Sequence, residues 1–357
     1  MNQKLSILIF TKTYWEEPPR IRHQLTNLLV EQGHKIIFFE KSSYKQRKIL
    51  KYKKDNINFI RHFELIPNML RPWGFLDKIN NLIAKKIIKK VLNKDAIDLV
   101  INFNYDYTFL KDLFPNKKII TIINDDFIDM AKPWMKKIAK MQLRKTCENS
   151  YVTLALSYPL LEQVKQFSNN VELFLPWAEN PYKLHKKNIK KDTVLWWGYI
   201  RHDIDWGAIE FLLKEGISIV MVGPVAKQNN TENIVNKLKK YKNFHLKPSM
   251  DLNELEFDHI CCSLLSYRKD VEYDRATTIS NRGFNLLSNG IPLVYANLPN
   301  LIKAPKEVIT KCNTNKEYLN AINYFKENWE ESQYYIEDFL KQHYAENRLN
   351  QLMNFIK

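Results

Sequence analysis

Two stretches of the 357-residue chain carry side chains suited to gripping anions. The first, Thr11–Gln24 (TKTYWEEPPRIRHQ), follows a short apolar run. Pro18 and Pro19 preset the φ that starts a helix. Arg20, Arg22, His23 and Gln24 then fill its first turn, where cations oppose the helix dipole. That arrangement asks for an anionic ligand, or for Glu16 and Glu17 to balance it. The second stretch is Asp274–Tyr295, a polar loop and then a helix beginning near Ser280. Backbone amides at a helix start and a guanidinium grip a diphosphate well, which assigns Ser280, Asn281 and Arg282 to such a ligand. Asn285, three residues on and on the same face, is within reach of a ribose hydroxyl. The plainer account makes Ser280 an N-cap and Arg282 a surface charge.

Carboxylates gather at Asn124-Asp125-Asp126, with Asp129 beyond, after the apolar run Ile119–Ile123. One of them can take a proton from a hydroxyl nucleophile. Hard oxygens also suit Mg²⁺, and Asp commonly caps the next helix. Trp196–His202 offers Gly198 for a tight turn and close backbone approach, with Arg201 placed to meet a phosphate. Tyr267-Arg268 follows another apolar run, Ile260–Leu265.

Short buried runs alternating with amphipathic stretches position these residues. Strands are expected at Leu5–Phe10, Ile36–Phe39, Ile57–Ile60, Leu99–Phe103, Ile119–Ile123, Val152–Leu156 and Val171–Leu175, with a helix over about Pro19–Gln32. A Lys-rich break at 179–192 reads as a linker. Strands resume at Thr193–Trp197, Ile217–Val222, Ile260–Leu265, Pro292–Tyr295 and Val308–Thr310, with helices near 205–214, 230–240, 281–289 and 316–325. The pattern predicts an α/β protein of two Rossmann-like domains facing across a cleft, spanning 1–180 and 193–330. The region 331–357 is expected to be helical and to pack back on the first domain. Ligands of such sheets sit at the carboxyl ends of the strands, where both stretches fall.

Lys and Arg outnumber Asp and Glu by 55 to 39, a net charge of +16, which favours polyanionic partners. No zinc-finger spacing, helix-turn-helix or RNP-type signature argues for nucleic acid. Four Cys without a CxxC pair imply neither a disulfide framework nor a zinc site, and point to a reducing cytosol. The N-terminal apolar run is too short for a signal peptide, and no window reaches 18 apolar residues. Lys78–Lys94 carries six Lys and no acid, with Ile79, Leu82, Ile83, Ile87 and Val91 on one helical face. Residues 41–54 add seven Lys/Arg, and the aromatic segment 70–76 precedes the helix. A basic amphipathic helix can lie in an anionic membrane interface; the alternative is a domain helix with a solvated Lys face.

The string Ile260–Pro299, with its strand, Tyr-Arg, Ile-Ser-x-Arg-x-Phe, Gly-Ile-Pro-Leu-Val and Leu-Pro, resembles the donor segment of GT-B glycosyltransferases. More narrowly it is similar to bacterial polysaccharide-assembly enzymes of the family 4 type and related exopolysaccharide glucuronosyltransferases. Trp-Trp-Gly-Tyr-Ile with Asp205, Val222-Gly-Pro, Pro-Pro-Arg-Ile-Arg-His-Gln and Ile123-Asn-Asp-Asp resemble further stations of the same enzymes, over nearly the whole chain. The resemblance implies a nucleotide diphosphate sugar as donor and a lipid-linked glycan hydroxyl as acceptor, on the cytoplasmic face of the membrane. It implies donor contacts at Ser280, Arg282, Asn285 and Tyr267, with Arg20 and Arg22 on the acceptor-side loop. Asp126 is the expected base, then His23, with no metal or other cofactor. Two Glu usual in retaining members are replaced by Thr277 and Asn285, and the Gly-rich N-terminal loop is absent. A nucleotide-sugar epimerase and a basic nucleic-acid-binding protein are the rival readings.

Overall fold

The computed structural model describes residues 4–17, 19–43, 48–66, 74–183, 190–227, 230–268 and 277–356. Pro18, most of the 70–76 aromatic segment, the middle of the 179–192 linker and the loop residues 269–276 lie outside them.

The chain forms two compact units, 1–175 with 348–357, and 176–347. The first holds β1 (Ser6–Phe10), α1 (Ile21–Glu31), β2 (Lys35–Phe39), β3 (Leu50–Lys54), β4 (Ile57–Arg61), α2 (Gly74–Val91), β5 (Leu99–Asn102), α3 (Leu110–Leu113), β6 (Lys118–Ile123), α4 (Lys136–Glu148), β7 (Val152–Ala155), α5 (Tyr158–Lys165) and β8 (Val171–Leu173). Its strands run β3-β4-β2-β1-β5-β6-β7-β8, parallel except for β3 against β4. β1, β5 and β7 are buried along most of their length, as apolar runs covered on both faces require. β3, LKYKK, lies in the basic stretch 41–54 and has no apolar run to announce it. It pairs through a tight turn at Asp55-Asn56, both at positive φ, and its lysines fit an edge strand.

α2 overlaps the basic amphipathic segment, and its apolar stripe has another use than the one expected. Ala84 and Ile88 pack with Leu8, Phe10, Val100 and Phe114 in the core. Ile87 is also buried, so this part of the face is not available to lipid. Ile79 and Leu82 stay exposed. No helix among the described residues is long and apolar enough to cross a membrane.

The second unit holds β9 (Thr193–Trp197), α6 (Trp206–Lys214), β10 (Ser218–Val222), α7 (Thr231–Leu238), β11 (Phe244–Lys247), β12 (Ile260–Leu265), α8 (Asn281–Ser288), β13 (Leu293–Ala296), β14 (Ile309–Cys312), α9 (Asn315–Glu327) and α10 (Trp329–Leu340); α11 (Ala345–Asn354) follows. Its six parallel strands run β11-β10-β9-β12-β13-β14. Cys261 and Cys262 are buried thiols of β12, as their apolar context predicts. The expected helical region 331–357 divides. α10 packs on α8, and Gln333 donates to the Gly290 carbonyl at 3.1 Å, so it belongs to the second unit. Residues 348–357 alone return to the first, where Arg348 donates to Leu175 O at 2.9 Å and Gln351 to Leu173 O at 2.8 Å.

Candidate functional site

In an open parallel sheet, ligands settle where the strand order reverses. In the second unit that point lies between β9 and β12, because the chain moves outward from β9 to β10 and β11 and then returns to β9's other side. Arg282 spans this point. Its Nη1 donates to Trp197 O, at the end of β9, at 3.2 Å, and its Nη2 donates to the hydroxyl of Tyr267, just after β12. The guanidinium lies 4.9 Å from the centre of the Trp196 ring. A cation on an aromatic face keeps its charge while its long side chain loses freedom.

Glycine geometry permits this. Gly198 has φ +128°, and a Cβ there would meet Arg282 Nη1 at 2.8 Å. Gly223, at φ +147°, would put a Cβ 2.0 Å from Gly198 O. The turns after β9 and β10 therefore approach each other backbone to backbone.

Ser280 is the N-cap of α8, accepting from Gly283 N at 3.3 Å. The first-turn amides of Asn281 and Arg282 lie where a helix has no internal carbonyl for them. Ser280 thus caps the helix, as the plainer account expected, and an anion at this turn is compatible with that cap. Asn285 sits one turn further on, donating to Glu179 at 3.5 Å while its Oδ1 is buried with no partner. Ser266, fully buried between β12 and Tyr267, also has an unpartnered hydroxyl. Arg201 is drawn elsewhere: it pairs with the nearly buried carboxylate of Asp203. Gly198, Tyr267, Ser280, Asn281 and Arg282 therefore come together, Asn285 borders them, and Arg201 is held in a pair of its own.

In the first unit the reversal lies between β1 and β5. Lys12, after β1, pairs with Asp106, after β5, and stands 5.0 Å from the Tyr105 ring, which stacks on Phe127. Asn104 is buried with both amide atoms unpartnered. Arg22 is buried, 5.9 Å from the Phe103 ring, with an unpartnered Nε. Burial holds its pKa below the usual guanidinium range, and Asp125 opposes that shift. Burial in turn lifts the Asp125 carboxyl above its ordinary range, and Arg22 is the first charge to oppose it. Arg20 is more exposed and sits 3.8 Å from Glu17, so part of the expected charge balance is local.

The two residues expected as base are tied up. His23 Nδ1 accepts from Arg20 N at 3.1 Å, and Nε2 faces Tyr14 O at 3.3 Å. That network fixes the neutral Nε2–H tautomer and leaves no basic nitrogen open to a substrate. Asp126 Oδ1 accepts from Ile128 N at 3.1 Å, Asp129 N at 3.0 Å and Gln163 Nε2 at 3.1 Å. It closes its own turn. Asp125 is the carboxylate whose environment raises its basicity. Adjacent Asp residues in a loop carry no sequence signal that separates these roles. Asn104 and Ser266 were likewise unmarked, because burial without a partner is a tertiary property. Among the described residues no three His, Cys, Asp or Glu gather to hold a metal.

No family model matches the chain. No curated protein matches it either. Solved structures do. The lipopolysaccharide outer core galactosyltransferase WaaB, in its apo form, superposes with a TM-score of 0.65 at 11% identity, covering 99% of each chain. Sucrose-phosphate synthase from Thermosynechococcus elongatus gives 0.66 at 11%, over 98% of each chain. Anabaena HepE in complex with UDP and glucose gives 0.64 at 12%, again over 98% of each. At such identity the likeness is one of fold, and the fold is GT-B.

Proposed function

We propose that the protein is a glycosyltransferase that moves a sugar from a nucleotide diphosphate sugar to a hydroxyl of a glycan acceptor. The reading extends to a lipid-linked acceptor of cell-surface polysaccharide assembly, met at the cytoplasmic face of the membrane. The observation that carries it is Arg282 lying across the β9–β12 reversal beside the start of α8. A guanidinium and helix-start amides there stabilise the negative charge that grows on a departing nucleoside diphosphate. The buried, unpartnered Asn285 Oδ1 and Ser266 Oγ suit the hydroxyls of such a donor. Fold likeness to enzymes named as galactosyltransferase and sucrose-phosphate synthase, and to a protein bound to UDP and glucose, supports the same reading.

The acceptor is assigned to the first unit, where Asp125 is the base that takes the hydroxyl proton. The Arg22 charge opposes the rise that desolvation imposes on this half-buried carboxyl. The role goes to Asp125 rather than to Asp126 or His23, since Asp126 Oδ1 and both His23 ring nitrogens are already engaged. The leaving charge is carried by Arg282 and backbone amides, with no metal in the scheme.

Thermal-shift measurements with UDP, GDP, TDP and CMP test the donor assignment, because a ligand bound by the folded state alone raises its stability. One nucleoside diphosphate should raise the midpoint, and Arg282→Gln should abolish the rise. No shift with any of them would sink the reading. Conversion of the sugar nucleotide to an epimer without acceptor would replace it with the epimerase.

A further inference from the structure

The segment that follows the Asp125 loop presents a surface that neither the fold nor the proposed chemistry uses. Met130 is 72% exposed, Trp134 54% and Met141 64%. Trp134 sits in the short 3₁₀ turn Pro133–Met135 that leads into α4. On α4, Ala139, Leu143, Thr146 and Cys147 are buried and fix the inward face. Met141 falls on the opposite face, one turn from both Lys137 and Lys145.

The charge around these apolar side chains is of one sign. Met130–Cys147 contains Lys132, Lys136, Lys137, Lys140, Arg144 and Lys145 and no acid. The acids that bound it, Asp129 and Glu148, pair with Lys136 and Arg144. Lys132, Lys137, Lys140 and Lys145 are left with no ion pair among the described residues.

We propose that Met130–Lys145 docks the protein on an anionic lipid surface. Trp134, Met130 and Met141 enter the headgroup layer, where an amphipathic indole is at home. The lysines lay their methylene stems along the same surface and meet lipid phosphates. Single apolar anchors separated by unpaired cations match an anionic bilayer, which is laterally uniform. A protein partner of the same chemistry would call for a contiguous apolar centre with a charged rim. This surface differs from the one expected on α2, where Ala84, Ile87 and Ile88 are buried in the unit's own interior. The inference rests on surface chemistry and stands apart from the assignment of donor or base.

The full chain would be sedimented with vesicles of phosphatidylcholine alone and of phosphatidylcholine mixed with phosphatidylglycerol. Binding is expected to the mixed vesicles only, weakening as salt is raised. The double change Trp134→Ala with Met141→Ala, and separately Lys137→Glu with Lys140→Glu, should each lower the partition coefficient by about tenfold or more. Lys86→Glu with Lys89→Glu on α2 makes the same change in net charge and should stay within about threefold of the unaltered chain. Circular dichroism would confirm that each variant is folded. Transfer to a water-soluble acceptor should be unchanged in all of them, so loss of docking and loss of catalysis are read separately. The proposal falls if the unaltered chain binds neither vesicle, or binds both alike. It falls equally if the α4 variants bind undiminished, or if the α2 variant loses as much as they do.

Discussion

Arg282 Nη1 lies 2.8 Å from the point where a Cβ on Gly198 would stand. The guanidinium can reach Trp197 O only because position 198 has no side chain, and the φ of +128° there is one that L residues rarely adopt. Gly198→Ala should therefore cost about 1–3 kcal/mol of stability from backbone strain and displace Arg282 as well. Binding of the stabilising nucleoside diphosphate, followed by calorimetry, is expected to weaken by about tenfold or more. Unchanged affinity in a folded Gly198→Ala protein would detach Arg282 from the ligand.

The adjacent acids should separate cleanly. Asp125→Asn is expected to lower kcat by about 10²–10⁴-fold with donor affinity intact. Asp126→Asn, which keeps an oxygen to accept the same amides, should cost stability more than turnover. Equal losses of kcat in the two variants would contradict the division.

The pH profile follows from the neighbours of Asp125. Burial raises its pKa, so kcat/KM should fall on the acid side at a pH above the ordinary carboxylate range. Arg22 opposes that rise, so Arg22→Gln should move the acid limb to still higher pH. A limb that moves down, or stays in place, would show that another group is the base.

Two buried histidines tie stability to pH. His23 Nδ1 accepts from Arg20 N, His34 Nδ1 accepts from Leu5 N at 3.1 Å, and burial depresses both pKa values. Each remains neutral in the folded chain at pH values where the unfolded chain already takes a proton. The stability they supply is present above about pH 6.5, the unfolded value, and drains away as pH falls below it. Urea midpoints measured from pH 7.5 downward should show that decline, and His34→Asn, which can still accept the Leu5 amide, should flatten it.

Chelation offers a check on the leaving-group assignment. With Arg282 and the α8 amides carrying the diphosphate charge, transfer should persist after treatment with EDTA. Loss of activity that added Mg²⁺ restores would place a metal in the scheme.

The sequence determined a good deal by itself. Apolar runs of strand length, interrupted by amphipathic stretches, announced two parallel-sheet units, because a strand covered on both faces must be apolar throughout. The start of α8 was legible for a similar reason: Ser280 caps a helix terminus, whose chemistry is local in the chain. β3 and β11 escaped notice because edge strands need little apolar content.

Tertiary structure decided what depends on partners distant in sequence. Asp126 Oδ1 accepted from Gln163 of α5, and Arg282 reached across to Trp197 O. Asp125, identical to its neighbour in composition, became the half-buried acid whose raised pKa the Arg22 charge opposes. The apolar stripe of α2 was spent on its own core, while Trp134 and Met141 were left outside. Residue type fixes what a side chain is able to do; desolvation and the atoms already bonded to it select which of those things it does, and both arise only when remote segments pack.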